Sequence, residues 1–248
     1  MAKQSGLGDN LYVDGYNLSG DVGSLSRIGG GPAAIDVTGI DKSANERIGG
    51  MRDGSIEFMA FFNDAASQEH PVLSALPTTS RYVTYCRGTS LGSPSACCYA
   101  KQVNYDPTRN ADGSFTIQTQ ALSDQYGIQW GNLLTAGRRT DTAATNGTGV
   151  DGGASSAFGL QAFLHVFSFT GTSVTIKLQE SSDNGAGDAF ADVTGGAFTV
   201  VSSAPQAQRI ATSSALSVER YLRVVTTGTF SECTFAVTVV RNETAVTF

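Results

Sequence analysis

Apolar and polar residues alternate with a period of two along much of this chain, the pattern of half-buried strands. The clearest case is Gly54–Asn63, where Ile56, Phe58 and Ala60 share one face and Glu57, Met59 and Phe61 the other. Arg81–Arg87, Ala96–Tyr105 and Ser114–Ser123 alternate in the same way, and Asp112-Gly113 suits a tight turn before the last of them. Shorter strands are predicted at Asn10–Val13, Val22–Ile28 and Ala34–Val37. Asp36 to Gly50 reads as a long, polar, turn-rich loop, and Gly29-Gly30-Gly31-Pro32 as a turn. One short helix is predicted over Ala65–Leu76, capped by Asn63 or Asp64 and ended by Pro77. Pro71 disfavours helix at the residue before it and delays or breaks the start.

Toward the C-terminus, Val174, Ile176 and Leu178 alternate with polar neighbours, as do Phe235, Val237 and Val239. Leu160–Phe169, Ala197–Val201, Gln208–Thr212 and Val218–Val224 add further strands. Turn signals at Thr170-Gly171-Thr172, Asp183-Asn184-Gly185, Thr194-Gly195-Gly196 and Gly228 separate them. About six strands at this spacing predict a β-sandwich. Between the two regions the polar, aperiodic run RRTDTAATNGTGVDGGASS reads as a flexible linker. The expectation is a mainly β protein: residues 1–137 forming a β-sandwich or barrel with one short helix and a long loop, a Gly/Thr-rich linker at 138–157, and an all-β sandwich at 158–248.

Composition narrows the function more than the fold. Charged residues make up 15% of the chain, below the roughly 25% of ordinary soluble domains. Gly, Ser, Thr, Ala and Val take their place. The formal net charge is −6 and no Lys/Arg block occurs, which disfavours a nucleic-acid grip. Neither a signal-like start nor a run of roughly 20 apolar residues is present, so synthesis in a cytoplasm and no membrane span are expected. The four cysteines, Cys86, Cys97, Cys98 and Cys233, lack metal-site spacing and are expected as buried thiols.

The search for chemistry finds little. His70 and His165 have no motif neighbours, and no hydrolase, zinc or nucleotide signature is present. The pairs Asp36/Asp41 and Asp53/Glu57 lack the desolvation that would tune an acid–base couple. Asp183, Asn184, Asp188 and Asp192 offer oxygen ligands without the Glu that closes a calcium loop, so a solvated hairpin loop is expected there and Ca²⁺ is left open. The Asn-x-Thr triplets at Asn146 and Asn242 match a glycosylation pattern that needs a secretion signal to matter. No cofactor is expected.

The stretch IDVTGIDKSANERIGGMRDGSIEFMAFFND resembles the core of tail tube (major tail) subunits of long-tailed, non-contractile bacteriophages. Thr38, Asp41, Lys42 and Ser43 match that family's loop, Gly54, Ser55, Ile56, Glu57 and Phe58 its strand, and Ala65–Leu76 its helix. Phe169–Thr199 and Val218–Phe230 resemble β-sandwich modules appended to phage tail and virion proteins. The resemblance implies a virion structural protein of the tail, not an enzyme, made in the host cytoplasm. It implies homohexameric rings stacked into a tube, with the C-terminal module on the outside. The implied partners are sibling subunits, the tape measure protein, and the tail terminator and distal tail proteins; genomic DNA passes through the lumen without specific binding. Asp36, Thr38, Asp41, Lys42, Ser43, Glu46 and Arg47 would form the inter-subunit or inter-ring loop, and Ile56, Glu57 and Phe58 a strand of the tube sheet. The alternative reading is a capsid decoration or other virion surface protein, its C-terminal module binding glycans.

Overall fold

The computed structural model describes residues 5–76 and 78–245. The fold is mainly β. The first half contains β1 (Asn10–Val13), β2 (Tyr16–Asn17), β3 (Val22–Asp36), β4 (Arg47–Phe61), the helix α1 (Glu69–Leu73), β5 (Arg81–Cys86), β6 (Pro94–Gln102), β7 (Asp106–Arg109) and β8 (Phe115–Leu133). The short β9 (Arg139–Asp141), β10 (Thr145–Asn146) and β11 (Val150–Asp151) follow. The second half holds β12 (Leu160–Ser181), β13 (Ala191–Ala197), β14 (Gln206–Ala211) and β15 (Tyr221–Arg241). The strands join into one antiparallel sheet with the path β13-β12-β15-β8-β6-β5-β1-β2, while β3 and β4 attach through the β4–β8 ladder.

Two buried clusters sit along this sheet. The first-half cluster takes the inward residues of β1, β4, β5 and β6, with Val72 and Leu73 of α1 packed on it. Ile56, Phe58 and Ala60 of β4 are buried in it, while Glu57, Met59 and Phe61 are not, as their alternation predicts. The helix is shorter than expected. Gln68 is its N-cap and Pro71 lies in its first turn, where a missing N–H does no harm. Pro77, expected to end it, lies outside the described residues.

The second-half cluster belongs to one folded ribbon. β12 and β15 are 22 and 21 residues long and pair over nearly their whole length. Here the turn expectations at Thr170-Gly171-Thr172 and Gly228 fail, because those residues lie within the strands, at or beside bulges of the ladder. A Cβ on Gly228 would lie 2.3 Å from the Ser173 carbonyl oxygen, and one on Gly171 2.4 Å from the Phe230 Cα. Glycine at these two places lets the strands cross closely and bend. The bend brings the two ends of β15 together: the Arg241 guanidinium donates to the carbonyls of Glu219 and Arg220, at 2.6 and 2.9 Å. Leu160, Leu164 and Val166 from one arm of β12 therefore share a core with Val174, Ile176 and Leu178 from the other.

The run 138–157, read as a flexible linker, is laid down on β15. Arg139–Asp141 pairs with Cys233–Phe235, Thr145–Asn146 with Val225–Thr226, and Val150–Asp151 with Tyr221–Leu222. Arg139 binds Asp141 through two bonds of 2.7 and 2.6 Å, and Thr226 Oγ1 donates to Asp141 at 2.7 Å. These residues contribute backbone pairing and few core side chains, so they carry no hydrophobic period to be read.

The halves meet where β8 pairs with β15, at Leu133↔Thr238 and Asn132↔Val239. Small clusters straddle this seam: Tyr12, Cys86 and Leu133 with Ala236, and Cys97 with Phe163 and Val240. His165 pins it. Gly15 N–H donates to His165 Nδ1 at 3.2 Å, so Nε2 carries the proton and donates to Thr84 Oγ1 at 2.8 Å. Complete burial pushes the imidazole pKa down to about 3 and keeps it neutral.

Candidate assembly surface

β3 and β4 leave the body as a hairpin. The body portion of β3 turns Val22, Leu25 and Ile28 toward the first-half core. The Gly29-Gly30-Gly31-Pro32 run, expected to be a turn, continues the strand and pairs with Arg52–Ser55. A Cβ on Gly30 would meet the Asp53 carbonyl oxygen at 2.2 Å, so this crossing requires glycine. Past it the ladder runs on to Asp36↔Arg47, with a bulge between Pro32 and Ala34. The six residues of β3 from Gly31 to Asp36, at strand spacing, project the hairpin about 20 Å. Of the expected loop Asp36–Gly50, residues 37–46 form a loop at the tip, while Asp36 and Arg47–Gly50 belong to the two strands.

No residue from 30 to 53 is buried. Yet this arm carries Ile35 and Val37 (each 46% exposed), Ile40 (109%), Ile48 (54%) and Met51 (88%), with Ile35 and Ile48 paired across the ladder. Isolated two-stranded hairpins are marginal in water, and an apolar set of this kind marks a contact surface.

The expected loop residues divide in two. Asp36, Thr38 and Glu46 tie the tip together. The Asp36 carboxylate accepts from Thr38 N at 2.9 Å and Thr38 Oγ1 at 2.5 Å; Thr38 Oγ1 accepts from Glu46 N at 2.9 Å; and Val37 N donates to Glu46 O at 3.0 Å. The two Thr38 bonds hold the Asp36 carboxyl below its usual range. Lys42 pairs with Glu46 at 3.5 Å. Asp41, Ser43 and Arg47 are exposed, Arg47 opposite Asp36 in the ladder. The polar residues set the shape of the tip, and the apolar ones have nothing to cover them in the single chain. Ile40, the most exposed, was not among the residues picked out from the sequence; an isoleucine isolated in a polar loop is the signal that could have found it.

At the base of the arm Ile56 and Phe58 anchor β4 in the core, 0% and 1% exposed. Glu57 points outward and accepts from Gln120 Nε2 and Ser55 Oγ, each at 2.9 Å, with Arg27 at 3.9 Å. Gln120 foremost, then Ser55, lowers its pKa. It is a latch between β4 and β8, on the wall of an open groove of about 530 Å³ that Arg27, Asp53 and Gln120 also line. Along its outer side β3 pairs with no other strand among the described residues, which leaves a 15-residue open edge.

Other candidates for chemistry are occupied by structure. His70 Nδ1 lies 2.7 Å from Tyr105 Oη. Both Asp183 oxygens accept backbone N–H groups, from Ala186 and Gly187 at 2.9 and 2.5 Å, and Asp192 holds Lys177 and Gln179 at 2.5 and 2.8 Å. No metal-like group of His, Cys, Asp and Glu occurs among the described residues. Asn242 is 8% exposed and its amide bonds Gln161 and the Phe158 carbonyl. All four cysteines are buried thiols. Among the described residues no helix is long and apolar enough to cross a membrane.

No family model and no curated protein matches the chain. Solved structures do. A chain of the virion of a native gene transfer agent particle is 16% identical at a TM-score of 0.43, over 51% of this chain and 98% of that one. A chain of the tail of an empty gene transfer agent particle, with C6 symmetry, is 16% identical at 0.37, over 44% and 80%. The Dit protein of phage SPP1, described as a hub adsorption apparatus, is 12% identical at 0.33, over 94% and 99%. These are likenesses of outline at low identity.

Proposed function

We propose that this chain is a non-enzymatic structural subunit of a phage-type virion tail, and that it builds closed rings stacked into a tube from copies of itself. The observation that carries the reading is the arm: a hairpin about 20 Å long, with no buried residue, that displays Ile35, Val37, Ile40, Ile48 and Met51. Covering one such side chain is worth about 1.5–3 kcal/mol, and the arm offers five. Its own body does not cover them, so a neighbour does. An arm on one side and its receptor on another make a heterologous contact, which closes into rings and repeats along an axis. The open edge of β3 supplies backbone partners for the same purpose.

The resemblance of the loop and β4 to tail tube subunits supplies the finer reading. Rings are hexameric, the module 1–137 forms the tube wall, and the module 158–248 lies outside. Asp36, Thr38, Asp41, Lys42, Ser43, Glu46 and Arg47 sit at the subunit contact, and Ile56, Glu57 and Phe58 in the wall. The tape measure, terminator and distal tail proteins are the other partners, and DNA slides through an acidic protein that repels phosphate. The location is the virion tail, after synthesis in the host cytoplasm.

The test is sedimentation velocity on the full chain beside Ile40→Asp and Ile40→Asp/Met51→Asp. The full chain is expected to form large assemblies with rising concentration, and the variants to stay small with unchanged thermal midpoints. Equal assembly by all three would show that the arm is not the contact.

A further inference from the structure

The two ends of β4 are matched in chemistry. The strand starts in the arm at Arg47 and ends at Phe61, about 45 Å away at strand spacing. Just past that far end, Phe62 N–H donates to the Phe115 carbonyl at 3.1 Å. The Phe62 ring lies 5.1 Å from that of Phe115 and 4.8 Å from that of His70. Both phenylalanines are 38% exposed. Arg109 of β7 stands directly opposite Phe115 in the β7–β8 ladder, and residues so paired put their side chains on the same face. An open aromatic rim thus has a guanidinium beside it.

The charges single out one residue at each end. Of the acids on the arm, Asp36 is bound to Thr38, Glu46 is paired with Lys42, and Asp53 accepts from Gly54 N and Ser123 Oγ. Asp41, next to the fully exposed Ile40, has neither a hydrogen bond nor an ion pair through its side chain. Arg47 and Arg52 are free as well, but they belong to the arm itself. Off the arm, Arg109 is the one lysine or arginine among the described residues with no hydrogen bond, ion pair or ring contact. The tip therefore offers an isoleucine beside an unmatched acid, and the rim a phenylalanine beside an unmatched base. Opposite charges set at the border of an apolar contact fix its register and exclude wrong partners.

We infer that the rim of Phe62, Phe115 and Arg109 is the receptor for the arm tip of another copy, Ile40 covering the two phenyl groups and Asp41 pairing with Arg109. This rests on the assembly reading and adds to it the receptor and the direction of the contact. Tip and rim lie at opposite ends of one strand, so they do not meet within a chain. A head-to-tail contact of that kind is heterologous and stacks copies along β4. The arm then joins successive layers, and the contact between neighbours within a layer falls to other surfaces.

Exchanging the charges tests it, with sedimentation velocity on the full chain as the readout. Asp41→Arg and Arg109→Asp are each expected to weaken assembly roughly tenfold. Both residues are exposed, so the thermal midpoints are expected to stay at the parent's. An equimolar mixture of the two variants is expected to assemble within about threefold of the parent, because each variant's tip then meets the other's rim with opposite charge. The chain carrying both substitutions is expected to do the same. The inference is overturned if either single variant assembles like the parent, or if both are weakened and neither the mixture nor the double variant recovers. In those cases a loss of assembly in Ile40→Asp would keep the arm as the contact and move its receptor elsewhere. Parental assembly by Ile40→Asp, or a parent chain that stays monomeric at every concentration, would overturn the assembly reading and this receptor together.

Discussion

Glu69 opens α1 with its side chain fully buried beside Asp21 and the Tyr105 hydroxyl. Burial first, then the Asp21 charge, raises its pKa from 4.5 to about 7. An acid whose folded pKa lies above its unfolded one costs stability as it ionises. Below pH 4.5 both states hold the proton and nothing is lost; the loss grows from there to about pH 7 and is complete above. Glu69→Gln is therefore expected to raise the urea midpoint at pH 8, by on the order of 1–2 kcal/mol of stability, and to leave it unchanged at pH 4. Equal gains at both pH values would show that ionisation is not the cause. His165→Leu removes the partners of Gly15 N–H and Thr84 Oγ1, and is expected to cost roughly 2–4 kcal/mol in a denaturant titration. Neither feature was legible beforehand. Gly15 and Thr84 lie 150 and 81 residues from His165, and Pro71 broke the pattern that would have turned Glu69 inward. The inward Ile56 and Phe58 and outward Glu57 were legible, because a strand's period survives whatever packs on it.

Among the elements, most strands were readable and the long ones were read as broken. Three glycine sites caused this: Gly29–Gly31, Gly171 and Gly228. Glycine marks turns, but it also marks places where another backbone comes close, and sequence does not separate the two. Gly228, at φ +135°, sits against the Ser173 carbonyl. Gly228→Ala is expected to lower stability by roughly 2–4 kcal/mol through strain and overpacking, readable as a lower thermal midpoint; an unchanged midpoint would mean that the ribbon does not bend there. The arm follows the same lesson. Its polar residues read as loop, and they do close the tip, but the strands beneath them take their partners from each other and give little sign in single-chain burial.

At the scale of the molecule, the sequence separates two regions that the seam joins. β8 and β15 share a ladder, two small clusters straddle it, and the 138–157 run is strapped to β15. Urea unfolding followed by Trp130 emission and by far-UV circular dichroism is expected to give coincident, single transitions. Two separated transitions would show that the halves are independent modules tied by that strap. The low charge and hydroxyl-rich composition fit a surface made for neighbours.

The proposed self-assembly predicts that another copy covers the exposed apolar side chains of the arm. Negative-stain electron microscopy of the purified chain at high concentration addresses this most directly. Rings or tubes of uniform diameter, lost when residues 38–45 are replaced by a two-residue Asn-Gly turn, are the predicted result. Dispersed single particles at every concentration, or unchanged tubes from the shortened arm, would contradict it.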